Sequence, residues 1–273
     1  MNQSEIRSYL TETLSHLTGR ELNNLISYYL DAHQQLASAL KREKLEKDIQ
    51  ALKEGIPVQY VTGITFFYGH RFITNSGCLI PRPETEELVH WIVKDNKSKS
   101  SFRIMDIGVG SGCILLSVMS ALNNTELEGW GLDISLPAIN VFNSNAKMLN
   151  LKVHPLLADI RMHQELPSDL DCIVSNPPYI LSEERDRMDK SVLEYEPEIA
   201  LFVPGEDPLF YYKRIMDLGL TLLKPQGVIY FETSDLYHNE LLDSIDTNQY
   251  SPTFRRDLSG KWRMLKLTKL LPS

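Results

Sequence analysis

A chain of 273 residues with 42% hydrophobic and 23% charged content can bury a sizeable core, in one large domain or two unequal ones. Its formal net charge of -8 argues against a broad, sequence-independent grip on nucleic acid, which needs clustered Lys and Arg. Three scattered cysteines, Cys78, Cys113 and Cys172, form no C-x-x-C pair and fit reduced core residues better than a disulfide framework or zinc site, so no metal is expected. With no basic n-region before an apolar stretch and no run near the ~20 apolar residues of a membrane span, the sequence reads as a soluble cytoplasmic protein.

Helical spacing opens the chain. Ile6, Leu10, Leu14 and Leu17 form one stripe, and Leu22, Leu25, Ile26, Tyr29 and Leu30 a second. Leu36 and Leu40, then Leu45, Ile49 and Leu52, continue the pattern, which predicts a run of amphipathic helices. Gly55, Pro57 and Gly63 break the period. The aromatic and β-branched stretch "ITFFYGHRFITNSGCLI" then predicts a short hairpin.

From residue 81 strand-like and helix-like segments alternate. Strands are predicted at 102–106, 128–132, 153–157, 171–175 and 227–232, with helices at 84–94, 112–122, 135–149 and 208–223. Alternation of this kind implies an α/β fold, a parallel sheet covered on both faces. In "IPRPETEE", Pro83 and Glu84 suit a helix start, with Glu84, Glu86 and Glu87 near its positive end. At the far end, "PTFRRDLSGKWRMLKLTKL" reads as a hairpin around Ser259, Gly260 and Lys261 that adds an antiparallel strand.

The stretch "DIGVGSGC" follows the first of these strands, running from Asp106 through Gly108, Val109, Gly110, Ser111 and Gly112 to Cys113. Glycines there let the backbone turn tightly and approach a ligand. Because Cys113 and Ile114 follow Gly112, the loop lacks the Lys of a P-loop. Asp133 ends the second strand about 20 residues on, where an acid can accept hydrogen bonds from both ribose hydroxyls of an adenosine ligand. Asp159 and Ile160 end the third. That pair suits an adenine, the carboxylate taking its amino group and the aliphatic chain covering its ring. The loop alone leaves open a dinucleotide or S-adenosylmethionine.

The fourth strand decides, because it ends in "SNPPYI". The Asn176 side chain and the Pro177 carbonyl offer two acceptors, and a planar –NH2 group has two donors to give. An amide or exocyclic amine nitrogen is a poor nucleophile, so aiming it at a sulfonium methyl is the available lever, one that contributes ~7–11 kcal/mol in favourable cases. Pro178 extends the motif and Tyr179 offers an apolar wall or edge. No Cys nucleophile or His base is required.

Together "LIPRPETEELV" (79–89), "DIGVGSGCI", "LDIS", "SNPPYI", "YEPEIALFVPGEDPLFYYKRI" (195–215) and "RRDLSGKWRML" (255–265) resemble, in order, the protein-(glutamine-N5) methyltransferases that modify peptide chain release factors. The resemblance implies a helical substrate-recognition domain at 1–63, a β-hairpin linker at 64–80 and a Rossmann-like class I methyltransferase domain at 81–273. The sheet would have seven strands, mostly parallel, with an antiparallel C-terminal strand. The implied cofactor is S-adenosyl-L-methionine and the implied target is the glutamine of Gly-Gly-Gln in class I release factors.

By position, Gly108 to Gly112 would border the methionine part of the cofactor, Asp133 its ribose and Ile160 its adenine. Asn176 to Tyr179 would bind the glutamine, with Arg82 and Glu84 lining the substrate cleft. Val109 departs from the Thr common in the glycine loop, and Ser234 from the Gly frequent after "YFET". A DNA adenine-N6 methyltransferase is the alternative, since that amine presents the same two donors. The acidic total and the lack of a target-recognition region speak against it, and against a non-catalytic adaptor stands the intact Asn-Pro-Pro-Tyr. A monomer without direct nucleic-acid or membrane contact is expected.

Overall fold

Asn2 starts the first helix with a reciprocal cap: its side chain accepts from the Glu5 N–H, and the Glu5 carboxylate accepts from the Asn2 N–H, both at 2.9 Å. The computed structural model describes residues 2–15, 17, 19–33, 42–122, 126–162 and 165–271. Its N-terminal helices are α1 (Gln3–Thr13), α2 (Gly19–Ala32), α3 (Arg42–Lys53) and α4 (Val58–Thr62). The apolar stripes converge on one small core of Ile6, Leu10, Leu14, Ile26, Tyr29, Leu30, Leu45, Ile49 and Leu52. Leu36 and Leu40 lie outside the described residues.

The hairpin is present as β1 (Ile64–Phe67) and β2 (His70–Ile73), antiparallel. Its two turn residues, Tyr68 and Gly69, both take positive φ, 49° and 76°, the geometry that matches strand twist in a two-residue loop. The hairpin is tied to the helices through Tyr28 Oη donating to the Ile64 carbonyl at 3.1 Å and Arg71 donating to the Ala32 carbonyl at 2.8 Å.

Beyond it come α5 (Pro83–Asn96), β3 (Ser101–Ile107), α6 (Cys113–Leu122), β4 (Glu126–Asp133), α7 (Leu136–Met148), β5 (His154–Leu157) and β6 (Leu170–Ser175). Then follow α8 (Lys190–Tyr195), α9 (Phe210–Leu222), β7 (Leu223–Glu232), α10 (His238–Asp243), β8 (Tyr250–Arg256) and β9 (Trp262–Lys269). Among the described residues seven strands form one sheet in the order β5-β4-β3-β6-β7-β9-β8, parallel except for β9. The C-terminal hairpin thus inserts β9 against β7 and leaves β8 at the edge.

Alternation along the strands splits the core. Phe102, Ile104, Cys172 and Val174 face α5, α6 and α7, while Met105, Ile107, Ile173, Ile229 and Phe231 face α9 and α10. The boundary that departs furthest from the sequence expectation is the start of β7. β7 begins at Leu223, inside the expected helix, because the chain pairs Leu170 with Leu223, bulges, and resumes at Cys172 with Val228. The intervening Pro225 has no N–H for the ladder and Gln226 takes φ 65°. No described helix is long and apolar enough to cross a membrane.

Candidate active site

The connections from β3 run outward to β4 and β5, then return across β3 to β6. Between β3 and β6 the chain leaves in opposite directions, and an open α/β sheet has its crevice at the carboxyl ends of such a pair. Both motifs emerge there, the glycine loop from β3 and Asn176 from β6. The Ser175 hydroxyl donates to the Ile107 carbonyl at 2.6 Å and joins the two strand ends.

The glycine loop folds back on β4. Gly108 and Val109 N–H groups both donate to the Leu132 carbonyl, at 2.8 and 2.9 Å. Gly108 and Gly110 hold φ of 78° and 52°, and open space lies where a side chain would project, so their backbone forms a bare stretch of cleft wall. Gly112 serves differently. A side chain there would run into Phe142 of α7, so this glycine lets the loop pack on the helix and is off the wall.

Asp133 sits on the wall, its Oδ2 accepting from the Gly110 N–H and its Oδ1 from the Ser135 N–H, each at 2.9 Å. Burial raises its pKa, against the pull of those backbone donors. Asp106 lies under the loop rather than in the cleft, and no hydrogen bond of good geometry reaches either of its oxygens. Burial pushes its pKa up to about 8; the Leu115 amide opposes the shift only in part, and the Asp133 charge adds to it.

Farther along, Ile134, Ala158, Ile160, Tyr211 and Ile215 make an apolar end. Asp159 is on this wall, but Arg161 already forks onto its carboxylate, with Nε at 2.9 Å and Nη2 at 2.6 Å, which lowers its pKa. Asn176, Pro177 and Pro178 form the opposite side. Among the described residues neither the Asn176 side chain nor the Pro177 carbonyl takes a hydrogen-bond partner, and both residues line the cleft. Tyr179 turns away and packs with the α9-side core. Glu84 is exposed over a second groove with Tyr68 and Arg255, outside this cleft.

Arg82 is on the wall, and Glu196 holds it there. The buried Glu196 carboxylate accepts from the Arg82 guanidinium at 2.6 Å and from the Ile80 N–H at 3.1 Å. This joins the segment before α5 to the segment after α8, and brings Cys78, Thr85, Pro197 and Ile199 onto the wall. Sequence reasoning gave these residues no individual role. The signals available were the quoted stretches "LIPRPETEELV", which contains Thr85, and "YEPEIALFVPGEDPLFYYKRI", which contains Pro197, Ile199, Tyr211 and Ile215. The space between these walls is about 1070 Å³, counting the open solvent at the cleft's mouth.

The methyltransferase small domain model matches residues 85–194. A release factor glutamine methyltransferase from Bacteroides thetaiotaomicron is 41% identical over 232 residues, covering 84% of this chain and 82% of its own. A second, from Flavobacterium psychrophilum, is 34% identical and covers 96% of this chain and 98% of its own. The chain belongs to the release factor glutamine methyltransferase family. A solved methyltransferase from Pyrococcus furiosus, 14% identical with a TM-score of 0.51 over 70% of this chain and 84% of its own, shares the fold.

The cofactor of a methyltransferase of this family and fold is S-adenosyl-L-methionine. The cleft's chemistry fits it. The bare backbone at Gly108 and Gly110 leaves room for a close approach, Asp133 has lone pairs to spare for hydroxyls, and the Ile134 and Ile160 end suits a flat apolar ring.

Proposed function

We propose that this protein transfers a methyl group from S-adenosyl-L-methionine to the side-chain amide nitrogen of the glutamine in the Gly-Gly-Gln motif of class I peptide chain release factors. The mechanism rests on one observation: Asn176 and Pro177, whose side-chain and backbone oxygens take no hydrogen-bond partner among the described residues, line the same cleft as the glycine loop and Asp133. When bound, the cofactor supplies an electrophilic methyl on a sulfonium. The two oxygens take both amide hydrogens and fix the direction of the nitrogen's remaining lobe. Gly108 to Ser111 border the methionine part, Asp133 takes the ribose hydroxyls, and Ile160 covers the adenine beside Asp159. Pro178 stiffens the substrate turn, Tyr179 braces it from behind, and Arg82 lines the entrance.

The division into a helical recognition domain at 1–63, a linker at 64–80 and a catalytic domain at 81–273 belongs to this reading. The separate core around Leu10, Tyr29 and Ile49 supports it. A monomeric state, a cytoplasmic setting and a protein rather than nucleic-acid substrate belong to the same reading, the last in line with the net charge of -8.

Incubation with methyl-labelled S-adenosylmethionine tests the proposal against a class I release factor, the same factor with its Gly-Gly-Gln glutamine replaced, and duplex DNA. Label is expected in the first alone. Label in the glutamine-replaced factor or only in DNA sinks it.

A further inference from the structure

Glu232 ends β7 as a buried carboxylate, 4% exposed, and no described Lys, Arg or His forms a contact ion pair with it. A carboxylate held out of water without such a partner is costly, and such groups concentrate at functional sites. Its side-chain hydrogen bond comes from Thr85, whose Oγ1 donates to Oε2 at 2.5 Å. Thr85 stands in the first turn of α5 and on the wall of the cleft that Asn176 and Pro177 also line. The groups around Glu232 are Arg82 and Glu84 at the start of α5, Cys113 of α6, Tyr179 after β6, and Arg263 of β9. From α9, Tyr212 Oη donates to its backbone carbonyl at 3.0 Å. Arg263 reaches instead toward Asp257, at 3.4 Å. Glu232 thus hydrogen-bonds directly to a residue of the cleft wall, which Asn176 and Pro177 also line.

We propose that Thr85 and Glu232 are the route by which the amide proton leaves the site. The inference rests on the glutamine reading above. Once the nitrogen carries the methyl group it holds two hydrogens and a positive charge. Its lone pair has become the new C–N bond, and the electron pair of the broken C–S bond stays on sulfur. One proton must go. The Asn176 and Pro177 carbonyls orient the hydrogens but are too weakly basic to keep one. Thr85 Oγ1 accepts that proton while its own passes to Glu232, which ends as a neutral acid and releases the proton when product departs. Thr85 is the catalytic hydroxyl, and Glu232 acts through it.

The test uses the full chain with Thr85→Val, Thr85→Ser and Glu232→Gln, the last keeping an acceptor for Thr85. Single-turnover methylation of the release factor is followed against pH, and binding of S-adenosylhomocysteine by calorimetry. Thr85→Val and Glu232→Gln are expected to slow turnover about 10²-fold, the lower end of general acid–base contributions, with unchanged Kd. Thr85→Ser is expected to restore most of the rate. The wild-type rate falls toward acid pH as Glu232 protonates, from a pKa that burial raises, and Glu232→Gln loses that limb. Variants with wild-type rate and pH profile overturn the relay alone, as does turnover lost together with homocysteine-product binding, which marks a structural role. Wild-type protein that binds S-adenosylhomocysteine yet leaves the release factor unlabelled overturns the glutamine reading and the relay with it.

Discussion

Asp133 Oδ2 accepts the Gly110 N–H at 2.9 Å, so a carboxylate at the end of β4 shapes a loop that begins at the end of β3. Its other oxygen is engaged by Ser135, again at 2.9 Å. In Asp133→Asn one acceptor becomes an NH2 group that faces a backbone N–H, donor against donor. The loop shifts, and an acceptor we assign to a ribose hydroxyl is gone. S-adenosylmethionine affinity is expected to fall about 10- to 100-fold, or about 1.4–2.8 kcal/mol. Calorimetry checks it, and wild-type affinity in the variant would refute the role.

Asn176→Ala removes one of the two acceptors and leaves the cofactor wall intact. Positioning lost at the reacting nitrogen appears in turnover rather than in cofactor binding. The expected loss in kcat is about 10²–10³-fold, in the range seen when one positioned polar group is removed from a reaction site. Cofactor Kd should stay at the wild-type value. A parallel loss of both would show that Asn176 supports the cofactor and does not aim the amide.

Gly110, Asp133 and Asn176 were legible in the sequence because each ends an apolar run short enough to read as a buried strand. Strand ends of a parallel sheet share one edge, so the three had to converge. Orientation beyond those ends was not legible. Tyr179 follows two prolines, and nothing local fixes which way the chain turns after them; it packs inward with the α9-side core. Glu84 starts α5, where a helical step of one residue separates the cleft-lining Thr85 from the second groove. Glu196 and Ile215 come from distant segments and required the tertiary fold. The place of β9 was also hidden, since a hairpin read alone does not say which of its strands pairs with β7.

Asp106 predicts a pH dependence of folding. Its pKa in the folded chain is about 8, against 3.8 for an ordinary aspartate, because burial favours the neutral acid. The folded state therefore binds this proton more tightly than the unfolded state. Stability is highest below about pH 4 for this group and falls as pH climbs toward 8, by at most about 1.4 kcal/mol per unit. Asp133 and Glu232 are raised in the same direction, so the wild-type slope combines all three. Asp106→Asn, which mimics the neutral acid, should flatten the slope and melt above wild type at pH 8.5. Urea denaturation between pH 5 and 8.5 decides it; equal slopes would mean that Asp106 is ionised in the folded protein.

Asn145 of α7 predicts a coupling between the linker hairpin and the glycine loop. Its Oδ1 accepts the Ile73 N–H at 2.6 Å, and its Nδ2 donates to the carbonyls of Ile73 and Ser111, both at 2.9 Å. The side chain is fully buried, so no water replaces these bonds. Asn145→Ala leaves one donor and two acceptors unsatisfied, at a cost of about 3 kcal/mol. For a chain of this size that lowers Tm by roughly 6–12 °C. Asn145→Asp is nearly the same shape and keeps the bond to Ile73 N–H, but it sets a carboxylate against two carbonyl oxygens. It should destabilise at least as much as alanine, and both variants should bind cofactor more weakly because Ser111 belongs to the loop. Thermal melts and calorimetry separate the cases. If Asp melts with wild type, shape alone holds the hairpin to the loop, and the donated hydrogen bonds carry nothing.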